Sequence, residues 1–185
     1  MSDADLDALL TEVWDRLTQA VETPAAPFRT PVLASLAADG SPDQRMVVLR
    51  GCDPRVGLCT VYSDTRAAKV AQVAEDPRVH LLFWDSAPGL QLRMRGRAQV
   101  FRTDETAAIW AELPEHGRAL YGAEPTPGAE IAAPDQMRAG RDPGAAFAAL
   151  GIRIETIEVL HLARPHHRRA HFARAEEWLG VWLAP

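Results

Sequence analysis

The chain has 185 residues, 47% of them apolar and 24% charged, enough for one globular domain with a substantial core. Its net charge of −5 argues against a general nucleic-acid or anionic-membrane partner, and of its 20 basic residues only Lys69 is a lysine, so arginine carries nearly all anion recognition. Cys52 and Cys59 are too few for a disulfide framework or a complete zinc site. The acidic N-terminus has no apolar signal core and no apolar run approaches membrane-spanning length, which predicts a soluble cytoplasmic protein with free thiols.

In chain order, Leu6, Leu9, Leu10, Val13, Trp14 and Leu17 recur at helical spacing behind Asp3, Asp5 and Asp7, predicting an amphipathic helix over residues 1–22 with an acidic start. Val32 to Ala37 and Gln44 to Arg50 read as a hairpin around Asp39-Gly40-Ser41-Pro42, followed by a strand from Leu58 to Ser63. Thr65 to Glu75 reads as a helix ended by Asp76-Pro77, and Val79 to Trp84 as a short strand. From Gln91 to Phe101 the alternation is clean: Gln91, Arg93, Arg95, Arg97 and Gln99 face one way, Leu92, Met94, Ala98 and Val100 the other. A second helix is expected from Asp104 to Leu113. Residues 115–148, rich in Pro, Gly and Ala, read as a loop or lid, and 150–185 as the C-terminal strands. The pattern predicts a mainly β single domain with peripheral helices, a six- or seven-stranded antiparallel barrel.

One group of residues suggests an anion site. Ser63, Asp64 or Thr65 is placed to cap the helix beginning near Thr65, and Arg66 and Lys69 lie three residues apart in its first turns. Arg45, from a neighbouring strand, can converge on the same spot. A helix start with nearby cations and hydroxyls suits a phosphate. Taken alone, the same residues are more simply read as a solvated helix face and an exposed strand arginine.

The ordered set is more specific than its pieces. Arg45 to Arg50 (Arg-x-Val-x-Leu-Arg), Tyr62-Ser63, Lys69, Asp76-Pro77-Arg78-Val79 and Gln91 follow one another as they do in the pyridoxamine 5′-phosphate oxidase-like family, which this chain resembles over residues 30–102. The C-terminal Leu183-Ala184-Pro185 is also similar to the family's ending. The resemblance implies a split β-barrel that binds flavin mononucleotide (FMN) at a homodimer interface and acts as an oxidoreductase on a small molecule. It also implies that Arg45 and Lys69 hold the flavin phosphate beside Ser63 and Tyr62, with Arg66 standing in for the family's serine or arginine nearby. The backbone of Met46, Val47 and Val48 would run under the flavin ring, and Gln91 would bond its polar edge.

Departures from the family lie on the substrate side. Arg50 retains the basic position, but the Tyr, Arg and Ser that hold the substrate phosphate in authentic pyridoxamine phosphate oxidases fall on Ile109, Leu113 and Gly117, with Arg118 and Tyr121 close by in sequence. Phe147 takes the place of a tryptophan, and His167-Arg168-Arg169-Ala170-His171 replaces Arg-Leu-His-Asp-Arg, leaving Arg168 and Arg169 as the residues expected near flavin or substrate. Metal ligation by the histidines is disfavoured, because His167 and His171 would stand ~13 Å apart along a strand. Cys52 and Cys59 flank a turn and read as two inert thiols, with a redox switch as the sharper alternative. Besides an FMN oxidoreductase, the readings to weigh are authentic vitamin B6 phosphate oxidation, a non-catalytic flavin or haem carrier, and a deazaflavin reductase.

Overall fold

The computed structural model describes residues 3–185; Met1, Ser2 and the side chain of Asp3, part of the expected acidic helix start, lie outside the described residues. Helix α1 (Asp3–Glu22) forms as its periodicity requires and buries Leu6, Val13, Trp14, Leu17 and Ala20. Nine strands follow among the described residues, more than the six or seven expected: β1 (Val32–Leu36), β2 (Pro42–Met46), β3 (Leu49–Asp53), β4 (Leu58–Asp64), β5 (Arg78–Asp85), β6 (Leu90–Arg102), β7 (Phe147–His161), β8 (Arg168–Ala173) and β9 (Gly180–Leu183). The remaining helices are α2 (Ala68–Glu75), α3 (Ala107–Glu112) and α4 (Glu115–Arg118), the last two beside the loop that precedes β7.

All ladders among the described strands are antiparallel, in the order β2-β1-β5-β6-β7-β4-β3, with β8 and β9 added beyond β7. The two ends of that path, β2 and β3, are consecutive in the chain. They are joined through Val47–Val48 rather than by a ladder, and this is where the barrel is split.

That split corrects the expected single strand from Gln44 to Arg50. Asp43, Arg45, Val47 and Leu49 share one inward parity, so the alternation runs on without interruption. The ladder partner changes, however: β2 pairs with β1 up to Val32↔Met46, the Val47 amide donates to the Pro31 carbonyl (2.9 Å), and from Leu49↔Val61 the chain pairs with β4. Periodicity encodes which face is inward but not which neighbour is adjacent.

Two glycines are required by geometry. Gly40 takes φ +80 in the β1–β2 turn, where the Asp39 carboxylate accepts from the Ser41 amide and hydroxyl. Gly96 sits at the β6–β7 bulge, where a Cβ would lie 2.3 Å from the Arg153 carbonyl oxygen. The core itself is apolar, built around Leu33, Leu49, Leu81, Phe83, Leu92, Met94, Leu150, Ile152, Ile154 and Phe172.

Candidate functional site

The first cluster forms where β1, β2, the end of β4 and α2 meet. Ser35 and Asp43 are register partners, as are Leu33 and Arg45, so Ser35, Asp43 and Arg45 project to the same side. Arg45 donates to the Ser35 hydroxyl (2.5 Å), to the Gln72 side-chain carbonyl (2.9 Å) and to the Asp43 carboxylate. The Ser35 hydroxyl also donates to the Gln72 carbonyl (2.6 Å), and the Gln72 amide donates to Asp43 (2.8 Å), which with Arg45 holds that carboxyl below its usual range. Lys69 reaches the same space from α2, and its ammonium donates to the buried Ser63 hydroxyl at 3.2 Å. Burial, and then the neighbouring Arg45 charge, pull the Lys69 pKa down against the opposing effect of Asp64 and Asp43. Two cations thus converge on one half-buried place, and no side chain caps the first turn of α2 beside them.

Arg66 has other partners than those expected. The helix starts at Ala68, with Ala67 as its N-cap, so Arg66 lies in the preceding turn rather than on the helix face of Lys69; Ser63, Asp64 and Thr65 are not its caps. The Asp64 carboxylate instead accepts from the Arg66 amide (2.9 Å), from the Arg66 guanidinium at two points (2.9 and 2.8 Å) and from the Gly122 amide (2.9 Å). Burial pushes the Asp64 carboxyl up, but these donors outweigh it and the pKa falls. Arg66 also bonds Glu124 (2.9 Å) and the Ala123 carbonyl (2.9 Å), tying the 115–146 segment to the barrel. A cleft of about 650 Å³ lies along this tie, lined by Thr65, Arg66, Glu124, Arg138 and Arg141 among others.

A second cluster stands on the opposite face of β4. Phe147 is fully buried and receives the rings of Tyr62 (5.2 Å, edge-on), Trp110 (5.4 Å) and Tyr121 (4.9 Å, edge-on). The Arg50 guanidinium lies 5.9 Å from the Tyr62 ring centre. Burial raises both phenol pKa values, and the Arg50 charge partly offsets it. Ile109 lies in α3 and Leu113 just after it, on either side of Trp110 in the chain. Arg118 stacks on Trp110 (5.6 Å) and donates to the carbonyls of Trp110 and Ala111, so its guanidinium is spent on the loop.

A third group occupies the outer face of the sheet. Met46↔Val32↔Leu82↔Arg93↔Glu158↔His171↔Val181 form one row across seven strands, and Trp84↔Gln91↔Leu160↔Arg169↔Leu183 form the next. Arg93 (2.9 Å) and Arg169 (3.1 Å) share one oxygen of Glu158. Arg93 therefore has an acidic partner within its own chain. Arg168 bonds His161 (2.8 Å) at the exposed edge. Met46, Leu82, Trp84, Val181 and Leu183 remain exposed on this face.

Of the expected site residues, Arg45, Ser63 and Lys69 come together; Met46, Val47 and Val48 form the open bend beside them. Tyr62 and Arg50 belong to the aromatic cluster, and Gln91 and Arg169 to the outer face. Sequence reasoning missed Ser35, Asp43 and Gln72 around Arg45. The one available signal was Ser35, a hydroxyl at an inward position of an otherwise apolar strand.

Residues 11–102 match the family model described as pyridoxamine 5′-phosphate oxidase, FMN-binding domain. A pyridoxine/pyridoxamine 5′-phosphate oxidase of Gloeothece citriformis is 31% identical over 100 residues, which cover 54% of this chain and 46% of that protein. The chain spans about half the length, or less, of most of the curated relatives it matches, and 69% of a 25% identical one from Thermosynechococcus vestitus. Among solved structures, a pyridoxamine 5′-phosphate oxidase-related, FMN-binding protein of Nostoc punctiforme superposes with a TM-score of 0.76 at 22% identity, covering 92% of this chain and 95% of its own. PhzG of Burkholderia lata, solved with tetrahydrophenazine-1-carboxylic acid, superposes with a TM-score of 0.74 at 17% identity over 95% of this chain and 91% of its own. The ordered motif, the split barrel and the family match agree: this chain belongs to the pyridoxamine 5′-phosphate oxidase-like family.

Proposed function

We propose that the protein binds FMN and is an FMN-dependent oxidoreductase acting on a small molecule that is not a phosphorylated pyridine. The observation that carries the cofactor assignment is Lys69: a half-buried ammonium with a hydroxyl partner, set beside Arg45 at the uncapped start of α2. Such a place is unfavourable for two cations alone and favourable once a dianion sits between them. In this reading Lys69, Arg45 and the Ser63 hydroxyl hold the FMN phosphate, and Asp43 gives up part of its hold on Arg45. Tyr62 adds its ring edge, the Met46–Val48 backbone faces the flavin ring, and Gln91 bonds its polar edge. Arg66 stays with Asp64 and positions the loop instead.

Bound FMN supplies two-electron redox chemistry, while the protein orients and shields it. Arg50, with the Tyr62 and Tyr121 hydroxyls, is the polar end of the substrate side. Ile109, Leu113 and Gly117 offer no phosphate donors there, which supports a substrate other than pyridoxamine phosphate. The exposed apolar residues in register on the outer sheet face support a homodimer with the flavin between subunits. The 185 residues are read as one domain.

The test is the visible absorption spectrum of the purified protein, followed by chromatography of what acid or heat releases. Flavin bands with FMN near one per chain support the reading. A colourless protein that leaves added FMN unbound overturns it.

A further inference from the structure

The two cysteines are outside every cluster above, and the fold sets them face to face. Cys52 on β3 and Cys59 on β4 are direct register partners in an antiparallel ladder, so their side chains leave the same face of the hairpin. Directly opposed residues have Cα atoms ~4.5–5.5 Å apart, inside the ~4.4–6.8 Å span of disulfides. Cys59 is fully buried, whereas Cys52 is partly exposed beneath α1. No group of three or more His, Cys, Asp or Glu among the described residues could hold a metal there. The thiol pair is therefore available for redox chemistry.

We propose that Cys52 and Cys59 are a peroxide-oxidisable pair that closes to a disulfide across the β3–β4 hairpin, with Cys52 as the attacking thiol and Cys59 as the resolving one. The Cys52 sulfur attacks one oxygen of hydrogen peroxide; the O–O bond breaks, a sulfenic acid forms and the other oxygen leaves as water. The Cys59 sulfur then attacks the Cys52 sulfur, the S–O bond breaks and a second water leaves. Two electrons pass from the thiols to the peroxide, so two thiols and one peroxide give one disulfide and two waters.

The electrostatic setting agrees with this division of roles. Contact with the Cys59 thiol, opposed by burial and aided by the Thr18 hydroxyl of α1, lowers the Cys52 pKa despite nearby Asp53. The same contact and full burial raise that of Cys59. Arg50 lies two positions along β3, so the bridge stiffens the strand that carries it. The inference stands independently of the flavin assignment.

The experiment exposes the full chain to hydrogen peroxide and measures intact mass, thiols titrated in denaturant, and tryptic peptides. The expected result is a loss of about 2 Da, disappearance of both titratable thiols, and a Gly51–Arg55 peptide linked to Val56–Arg66 until dithiothreitol separates them. In Cys59→Ser, Cys52 stops at a sulfenic acid that dimedone traps. The proposal is overturned if both thiols survive a peroxide exposure that oxidises glutathione, if Cys52 proceeds to sulfinic acid with Cys59 still free, or if the disulfide joins two chains.

Discussion

Replacing Lys69 by methionine separates the phosphate assignment from any general weakening of the fold. Lys69 makes one hydrogen bond, to Ser63, and its charge is disfavoured by burial and by Arg45. A charge-assisted bond from this ammonium to a phosphate contributes about 1.5–3 kcal/mol, so Lys69→Met is expected to weaken FMN binding roughly 10- to 150-fold. Riboflavin has the same ring without the phosphate, and its affinity should be unchanged. Fluorescence quenching titrations with both flavins give the ratio directly.

The apoprotein should respond in the opposite sense. Because the folded Lys69 pKa lies below the ordinary 10.5, the unfolded chain binds its proton more tightly, and the charged form destabilises the fold at all pH values below the folded pKa. That penalty is relieved as pH rises through the folded pKa toward 10.5. Lys69→Met is thus expected to raise the apoprotein's melting temperature near pH 7 and to lose that advantage above pH 10.5. Parental FMN affinity in the variant, or equal losses for FMN and riboflavin, would refute the reasoning.

Three further outcomes are expected. Asp43→Asn removes the carboxylate that shares Arg45, and FMN affinity measured by calorimetry should improve roughly 2- to 5-fold, the small effect of an exposed charge. Phe147→Ala removes the fully buried ring on which Tyr62, Trp110 and Tyr121 rest; it should cost about 3–5 kcal/mol and lower the melting temperature by roughly 6–20 °C in calorimetry. The Arg78 side chain and amide hold the Asp76 carboxyl at about 2, so this pair stabilises the fold above pH 3.8 and loses its effect as pH falls through about 2. In Arg78→Ala an NMR titration should find the Asp76 midpoint moved back toward 3.8.

Much of the architecture could be read from local pattern. The β6 alternation places Leu92, Met94 and Ala98 in the core and Arg95, Arg97 and Gln99 outside, as observed, because the pleat forces a two-residue period wherever one face is buried. The α1 stripe follows in the same way from the helical period. Lys69, Arg45 and Ser63 were recognisable as a set because their order along the chain matched a family pattern, although no property of any one of them implied the meeting.

What the chain could not announce is partnership. The inward parity of Asp43, Arg45, Val47 and Leu49 is unbroken, yet β2 pairs with β1 and β3 with β4, since alternation is blind to which strand lies alongside. Arg66 shares its stretch of chain with Lys69 but is taken by Asp64 and by Glu124, 58 residues away, because that loop folds back over the turn. Arg45 is claimed by Ser35, Asp43 and Gln72. A long charged side chain can satisfy its hydrogen bonds in several directions, so long-range register decides among partners that local spacing leaves equivalent.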